Sequence, residues 1–411
     1  MPTPRSASPP TLSLRSDNHL WLPLVAHAIA SETGDRSFLE QEIPFLADDH
    51  ASPDGQGTVW DHLMAAVQFT WKNRGAHGLP LTFQSDWNDI IGRFNRRGQG
   101  ETVFAGMQYV FALRKLIELA EWADKPDLQH LQDMLHAQLA ALQNAAWDGE
   151  WWRRGFDDDG NPVGSNTYTA ARLFLNPQSW AVISDTGSAQ QQQSGMDAVA
   201  QQLDTGIGLK ILTPGFTSWS DEHDEGRPPL QDGYGAGCGE NGAIFCHANT
   251  WAVMAEALLG HGDLAWKYFT QLIPQNVIAS IGVDRYRAEP YAWVSNIVGP
   301  ENGQFGWANV EQITGTAPWM DVAATQYLLG IRPYPEGLVI APSIPAQWPG
   351  YSVQRIFRSC ALHIEVINES QTGFGVRSLT VESAELPVTP VASIPAELMK
   401  GKDQLSVKVI L

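Results

Sequence analysis

Two carboxylates, an indole and an amide occupy four consecutive positions in Asp86-Trp87-Asn88-Asp89, with Ser85 ahead of them. Chain-breakers frame the run, with His77-Gly78-Leu79-Pro80 on one side and Arg97-Gly98-Gln99-Gly100-Glu101 on the other. A packed helix or strand has little use for such a cluster, because an unpaired buried carboxylate is costly. A loop at the mouth of a sugar pocket has good use for it. The indole stacks on a sugar face, the amide hydrogen-bonds hydroxyls, and one carboxylic acid protonates a leaving oxygen. An Asx-rich turn ahead of a helix is the purely structural reading of the same residues.

Three further clusters carry chemistry. In the stretch from Gly239 to Trp251, a glycine-bracketed Glu240 precedes a helix whose first turns carry His247 and Asn249. A helix start offers unpaired amide N–H groups to an anion, and a histidine adds a charge-assisted bond. A core histidine with its bonds satisfied is the alternative. Glu289-Pro290-Tyr291 sets a carboxylate before a rigid proline. Gln312-Ile313-Thr314-Gly315-Thr316-Ala317 places a hydroxyl, a glycine and exposed amides ahead of another helix. That suits an anion cradle, or a plain N-cap by Thr314 or Thr316. Asp157-Asp158-Asp159 lacks the spaced ligands of a calcium loop and reads as a solvated turn; no metal site is expected.

Helices and loops must position these groups. The residues before about Leu14 are rich in Pro, Ser and Thr, and residues 1–16 are expected to be disordered. Apolar spacing predicts helices over His19–Ser31, Thr58–Asn73, Glu101–Ala123 and Leu128–Trp147. A short hairpin is expected around Trp151–Pro162. Further helices are expected at Pro177–Asp185 and Gly195–Leu203, with a Gln-rich segment between them. A Gly-rich loop runs from Gly233 to Gly242, and helices follow at Ala243–Leu259, Asp263–Leu272 and Ala317–Leu329. From about Arg332 short β-type runs take over, including Leu338–Ile340, Val353–Phe357 and Leu362–Val366. The organisation is therefore mainly α over 17–331, with a small β domain over 332–411. Helices of this length with loops of uneven length suggest a barrel of helical hairpins with its chemistry in the loops at one end.

Composition narrows the function classes. The 45 acidic against 26 basic side chains give a formal charge of −19. That disfavours nucleic acid and anionic membrane as partners but leaves room for a phosphate ion in a local pocket. Three cysteines are too few for a disulfide framework and fit a reducing compartment. The start has no secretory signal and no apolar run is long enough to span a bilayer, so a cytoplasmic protein is expected. The 16 tryptophans suit cores as well as sugar stacking, and Trp87 stands out for its polar neighbours.

Taken in order, these clusters resemble glycoside hydrolase family 94, the inverting disaccharide phosphorylases (glycosyltransferase family 36 in older naming). The similar pieces run from about Asp17 to Asn368. They are Ser16-Asp17-Asn18-His19-Leu20-Trp21, His77-Gly78-Leu79-Pro80, Asp86-Trp87-Asn88-Asp89, Glu240-Asn241-Gly242 with His247, Glu289-Pro290-Tyr291, Thr314-Gly315, Gly337-Leu338, Ile344-Pro345 and Trp348-Pro349-Gly350. The resemblance implies an (α/α)6 six-hairpin barrel with small β elements after it. It implies Asp89 as the general acid, and His247, Thr314 and Gly315 as the phosphate cradle. Trp87, Asn88, Tyr234 and Glu240 would lie around the sugar. The implied reaction is inverting phosphorolysis of a β-linked glucoside to an α-sugar 1-phosphate, and its reverse. Phosphate is then a co-substrate and no cofactor is needed.

Two departures stand out. The family's β-sandwich, its first barrel helices and an Arg–Gly-rich–Arg–Asp segment that grips the donor sugar have no counterpart before Asp17. The resemblance therefore reads this chain as the C-terminal portion of a family member, truncated or one piece of a split protein. Its partners would be a small carbohydrate and phosphate, with a second copy or a separate N-terminal half as protein partner. In addition, Gly239 stands where cellobiose-type enzymes carry a lysine that helps define the acceptor site, so the acceptor stays open. A non-catalytic sugar-binding remnant and an inverting hydrolase using Glu240 as base are the alternatives.

Overall fold

The computed structural model describes residues 14–46, 53–216, 234–389 and 391–411. Residues 1–13, most of the segment expected to be disordered, lie outside this set.

The architecture is mainly helical, with small sheets. Helices α1 (Trp21–Thr33), α2 (Val59–Lys72), α3 (Val103–Trp122), α4 (Leu128–Ala145), α5 (Leu175–Ile183) and α6 (Ala189–Gln202) lead to α7 (Cys246–Leu258) and α8 (Gly262–Gln271). Then come α9 (Pro274–Ile281), the single turn α10 (Val283–Tyr286), and α11 (Thr316–Val322), which a π-helical stretch, Ala323–Leu328, continues. Helix α2 starts on a capping box. The Thr58 hydroxyl accepts the Asp61 N–H, and the Asp61 carboxylate accepts the Thr58 N–H at 2.7 Å. Helix α1 stops at Gly34, whose φ of 68° suits glycine and closes the last turn.

Three hairpins, α3–α4, α5–α6 and α7–α8, are each joined by a short loop. The connections at the opposite ends are long: 73–102, 146–174, 203–245 and 272–315. Helices α1, α3, α5 and α7, with α11, form an inner layer, and each contributes one ring to an aromatic cluster. Trp180 meets Trp251 at 5.3 Å between centroids and Trp21 at 5.9 Å. Trp319 lies 5.9 Å from Trp21, and Phe104 lies 5.5 Å from Trp180. The nine residues of α5 are all buried, and its polar side chains Asn176, Gln178 and Ser179 are hydrogen-bonded within the interior. Among the described residues these five elements make up the inner layer, and no closed six-hairpin ring is present.

Several local expectations shift. The Gln-rich run is not a separator but the first turns of α6, started by a Ser188–Gln191 capping box. Gln192, Gly195, Met196 and Val199 face inward at helical spacing and leave the other glutamines to solvent. Ile244 and Phe245 form a strand beside Ile297 and Asn296, so α7 begins only at Cys246. Glu101 is a strand residue rather than the start of α3. Its buried carboxylate accepts the backbone N–H groups of His77 and Leu79 and so pins the His77–Pro80 turn. The hairpin near Trp151 is present as Gly155–Phe156 paired with Pro162–Val163. Asp157 organises its turn through the Asp159 and Asn161 N–H groups. Among the described residues no group of His, Cys, Asp or Glu side chains is arranged to hold a metal ion.

From Ile331 onward the chain is mostly strand, with a core of its own. Gly350–Phe357 and Cys360–Ile367 form an antiparallel pair, and Gln404–Ile410 lies parallel to the second strand. Alternation sends Leu362, Ile364 and Val366 inward beside Leu405, Val407 and Val409. Among the described residues no helix is long and apolar enough to cross a membrane.

Candidate active site

The long loops leading into α3, α7 and α11 converge above the aromatic layer and carry the chemical residues. Within Asp86–Asp89 the two carboxylates have opposite fates. Asp86 is fully buried. Its carboxylate lies 2.6 Å from the Arg154 guanidinium, accepts the Thr102 hydroxyl at 2.6 Å, and accepts the Asn88 N–H at 2.9 Å. It is an anchor, fully occupied. Asp89 closes the same turn with its side chain 71% exposed. Its carboxylate pairs with Arg15, and its N–H donates to Glu240 Oε1 at 3.1 Å.

Asn88 is buried, and its Oδ1 accepts from both Arg154 and Asn176 at 3.0 Å. Trp87 is half-buried on top of the aromatic layer, 4.7 Å from Trp251 and 4.9 Å from the His247 ring, which it meets edge-on. The tryptophan singled out for its polar neighbours is thus also the cap of an aromatic core.

His247 is the second residue of α7. Its ring sits among Trp87, Trp251 and Trp319. Burial pushes its pKa down to about 3, so the imidazole is neutral. Nε2 is buried without a hydrogen-bond partner among the described residues, an arrangement that favours arrival of a polar ligand. Gly315 lies directly against this ring, where a Cβ would stand 2.5 Å from Cε1; only glycine permits so close an approach. Beside it the Thr314 hydroxyl accepts the Thr316 N–H at 3.1 Å and contacts the Thr316 hydroxyl at 2.7 Å. Thr314 therefore already makes the local capping bond.

The Glu240 loop is folded by Asn241. That amide bonds the backbone of Phe216 on both sides and the Tyr234 carbonyl. Tyr234 is exposed, with its ring against Gly239 beside Glu240. The contacts thus join Trp87, His247 and Gly315 in one group, and Asp89, Glu240 and Arg15 in a second. The Trp87-Asn88-Asp89 backbone links the two. Glu289 is not joined to either group by these contacts; its Oε2 is buried without a hydrogen-bond partner among the described residues.

Sequence reasoning missed Arg154, Asn176, Glu101 and Arg15. Arg154, fully buried, is the residue that holds the Asp86–Asp89 loop, bonding Asp86, Asn88 and Thr102 at once. The one available signal was indirect: a buried aspartate needs a cation, and Arg154 follows two tryptophans in a hairpin.

A family model described as the catalytic domain of the glycosyl hydrolase 94 superfamily matches residues 3–330. The chain is 31% identical over 373 residues to the solabiose phosphorylase of Paenibacillus borealis, covering 90% of this chain and 47% of that protein. It is 34% identical over 371 residues to the N,N'-diacetylchitobiose phosphorylase of Vibrio furnissii, covering 89% of this chain and 44% of the other. The chain thus spans less than half the length of these relatives. Among solved structures, a GH78 family rhamnosidase of Bacillus sp. GL1 matches with a TM-score of 0.53 at 12% identity, covering 87% of this chain and 32% of that one. That is a likeness of fold alone.

Proposed function

Because this chain belongs to the glycosyl hydrolase 94 superfamily, we propose that it serves inverting phosphorolysis of a β-linked glucoside. Asp89 is the general acid and inorganic phosphate the nucleophile. The proton of Asp89 goes to the glycosidic oxygen as the C1–O bond breaks. A phosphate oxygen forms the new bond to C1 from the opposite face, leaving an α-sugar 1-phosphate and a released acceptor sugar. One protein acid suffices, because phosphate needs positioning rather than activation by a base. His247, Thr314 and Gly315 cradle the phosphate, and Trp87, Asn88, Tyr234 and Glu240 surround the sugar. Arg15, now on the Asp89 carboxylate, gives way when the glycosidic oxygen arrives. No cofactor enters this scheme.

The observation that carries this reading is the separation of roles inside one turn. Asp86 is consumed by Arg154, Asp89 is presented to solvent, and Trp87 touches His247, whose Nε2 has no hydrogen-bond partner among the described residues. In the same reading the hairpins form part of a six-hairpin (α/α)6 barrel. The setting is cytoplasmic, in keeping with Cys238, Cys246 and Cys360, none of them in a disulfide.

The test incubates the chain with α-glucose 1-phosphate and a panel of acceptor sugars. With the N-terminal half of a family member supplied alongside the chain, phosphate release is expected, with a loss of at least about 100-fold in Asp89→Asn. Release that survives this exchange rules out the assigned acid. Phosphate-independent cleavage of a disaccharide would instead favour a hydrolase using Glu240 as base. Sugar binding without turnover would favour a binding role.

A further inference from the structure

Lys210 lies in the long connection between α6 and α7 and is buried. Its ammonium donates to the Thr213 hydroxyl at 2.6 Å and pairs with Glu301 Oε1 at 3.1 Å. Taking an ammonium out of water is costly, and an ion pair adds little stability over an apolar pair in its place. What this pair does is aim the second oxygen of Glu301. Oε2 accepts the Gly215 N–H at 2.5 Å. The neighbouring Phe216 N–H donates to Asn241 Oδ1 at 2.8 Å, and the buried Asn241 amide donates to the carbonyls of Phe216 and Tyr234. A short path thus runs from Lys210 through Glu301, the Gly215–Phe216 backbone and Asn241 to the loop that carries Tyr234 and Glu240. Residues beside Glu301 grip the same loop directly. The Gly299 N–H donates to the Gly237 carbonyl at 2.7 Å, and a Cβ on Gly299 would stand 2.2 Å from the Gly242 carbonyl oxygen. Asn302 Nδ2 lies 3.3 Å from Cys238 Sγ.

We propose that Glu301, oriented by Lys210, is a positioning residue for the acceptor sugar. It fixes the Tyr234–Asn241 loop, and so the places from which Tyr234 and Glu240 meet that sugar. Holding a loop in one place before the ligand arrives lowers the ordering cost of binding, so the pair acts on acceptor affinity. The residues assigned to phosphate are fastened elsewhere. The Thr316 hydroxyl donates to the Val294 carbonyl at 3.3 Å, and Gly315 abuts His247. The Asp89 turn likewise has its own anchor in the Arg154–Asp86 pair. Loss of the Glu301 contact is therefore selective for the acceptor. The proposal rests on the phosphorolysis reading, in which Tyr234 and Glu240 surround the sugar. Loop placement is read without turnover, so that either can fail alone.

The test compares two double exchanges. Lys210→Met/Glu301→Leu removes both charges and the acceptor for the Gly215 N–H, whereas Lys210→Met/Glu301→Gln keeps an acceptor there. Loop placement is read from the reaction of Cys238 with a chromogenic aromatic disulfide, since Cys246 and Cys360 are buried in the folded chain. The Leu exchange is expected to speed this reaction at least about fivefold, the worth of one hydrogen bond, and the Gln exchange to restore most of the wild-type rate. Acceptor kinetics are read as phosphate release from α-glucose 1-phosphate with the N-terminal half of a family member supplied. In the Leu exchange acceptor KM should rise at least about fivefold, with kcat and the affinity for inorganic phosphate within about twofold of wild type. The Gln exchange should bring KM back towards wild type. The melting temperature should hold, because apolar groups of similar size replace the pair. The proposal is overturned by an unchanged Cys238 rate, by an acceptor KM that stays put while that rate rises, or by equal losses in kcat, phosphate affinity and acceptor KM. A Cys238 rate that responds in a chain releasing no phosphate supports the placement of the loop by Glu301 and overturns the phosphorolysis reading alone.

Discussion

Arg154 decides which of two neighbouring aspartates is buried and which stays exposed. By pairing with Asp86 and bonding Asn88 it draws those side chains inward and turns Asp89 outward. A buried ion pair contributes little net stability over an apolar pair, but removing one partner strands the other charge. Arg154→Met is therefore expected to cost about 3–5 kcal/mol in urea unfolding. Adding Asp86→Asn should recover part of that loss, because the stranded carboxylate is gone. If Arg154→Met unfolds at the wild-type urea concentration, Arg154 is not the anchor of the loop.

At the scale of elements, the division between short and long loops sets where chemistry can occur. Three hairpins turn tightly at one end, which leaves the long connections at the N-terminal ends of the inner helices to carry Trp87, Asp89, Glu240 and Thr314, with His247 in the first turn of α7. The helices themselves were legible from apolar spacing, and α2, α3 and α4 lie within two residues of the expected bounds. The start of α7 was not, because Ile244 and Phe245 are apolar in either a helix or a strand and only the partner strand chooses between them. The meeting of α7 with the loop before α11 gives a sharp test. Gly315 has φ −74°, ordinary for alanine. Gly315→Ala should therefore keep the fold but drive a methyl into the His247 ring. Calorimetry should show a loss of phosphate affinity of at least about tenfold, and the displaced ring should lower stability by about 1–3 kcal/mol. Unaltered affinity would remove Gly315 and His247 from the cradle.

For the whole molecule, burial of ionisable groups ties stability to pH. Burial pushes His247 down to about 3 and His19 down to about 4, against an ordinary 6.5. Below pH 6.5 the unfolded chain takes up protons that the fold refuses. Their contribution is thus complete above about pH 6.5 and is lost on acidification towards 4, at about 1.4 kcal/mol per pH unit for each group. Asp17, pushed up to about 6 by burial, acts oppositely: its proton favours the fold at low pH, and that help fades as pH rises through 6. His247→Asn removes one histidine from this balance. Its stability should fall between pH 6 and pH 4 less steeply than wild type by about 1.4 kcal/mol per pH unit in urea titrations. Parallel pH profiles would mean that His247 is protonated in the fold. The C-terminal sheets, with their own core, are fastened to this helical body by Arg358. Its guanidinium donates to the carbonyls of Ser31 at the end of α1, Tyr334 and Pro335.

The amino-acid sequence by itself determined the helical period, the change to strands near residue 331, the capping signals and the types of residue available for chemistry. These are short-range properties, written in spacings of a few positions. Tertiary structure alone decided which of those residues are occupied and which remain available. Asp86 and Asp89 are equivalent as letters three positions apart, and the choice between them is made by Arg154, 68 residues beyond Asp86. His247 reads as either a core histidine or a ligand. It becomes a neutral imidazole, its Nε2 without a hydrogen-bond partner among the described residues, only where Trp87, Trp251 of its own helix, and Gly315 with Trp319 from a third segment surround it. Burial and pairing depend on contacts between distant parts of the chain, so no local pattern could have supplied them.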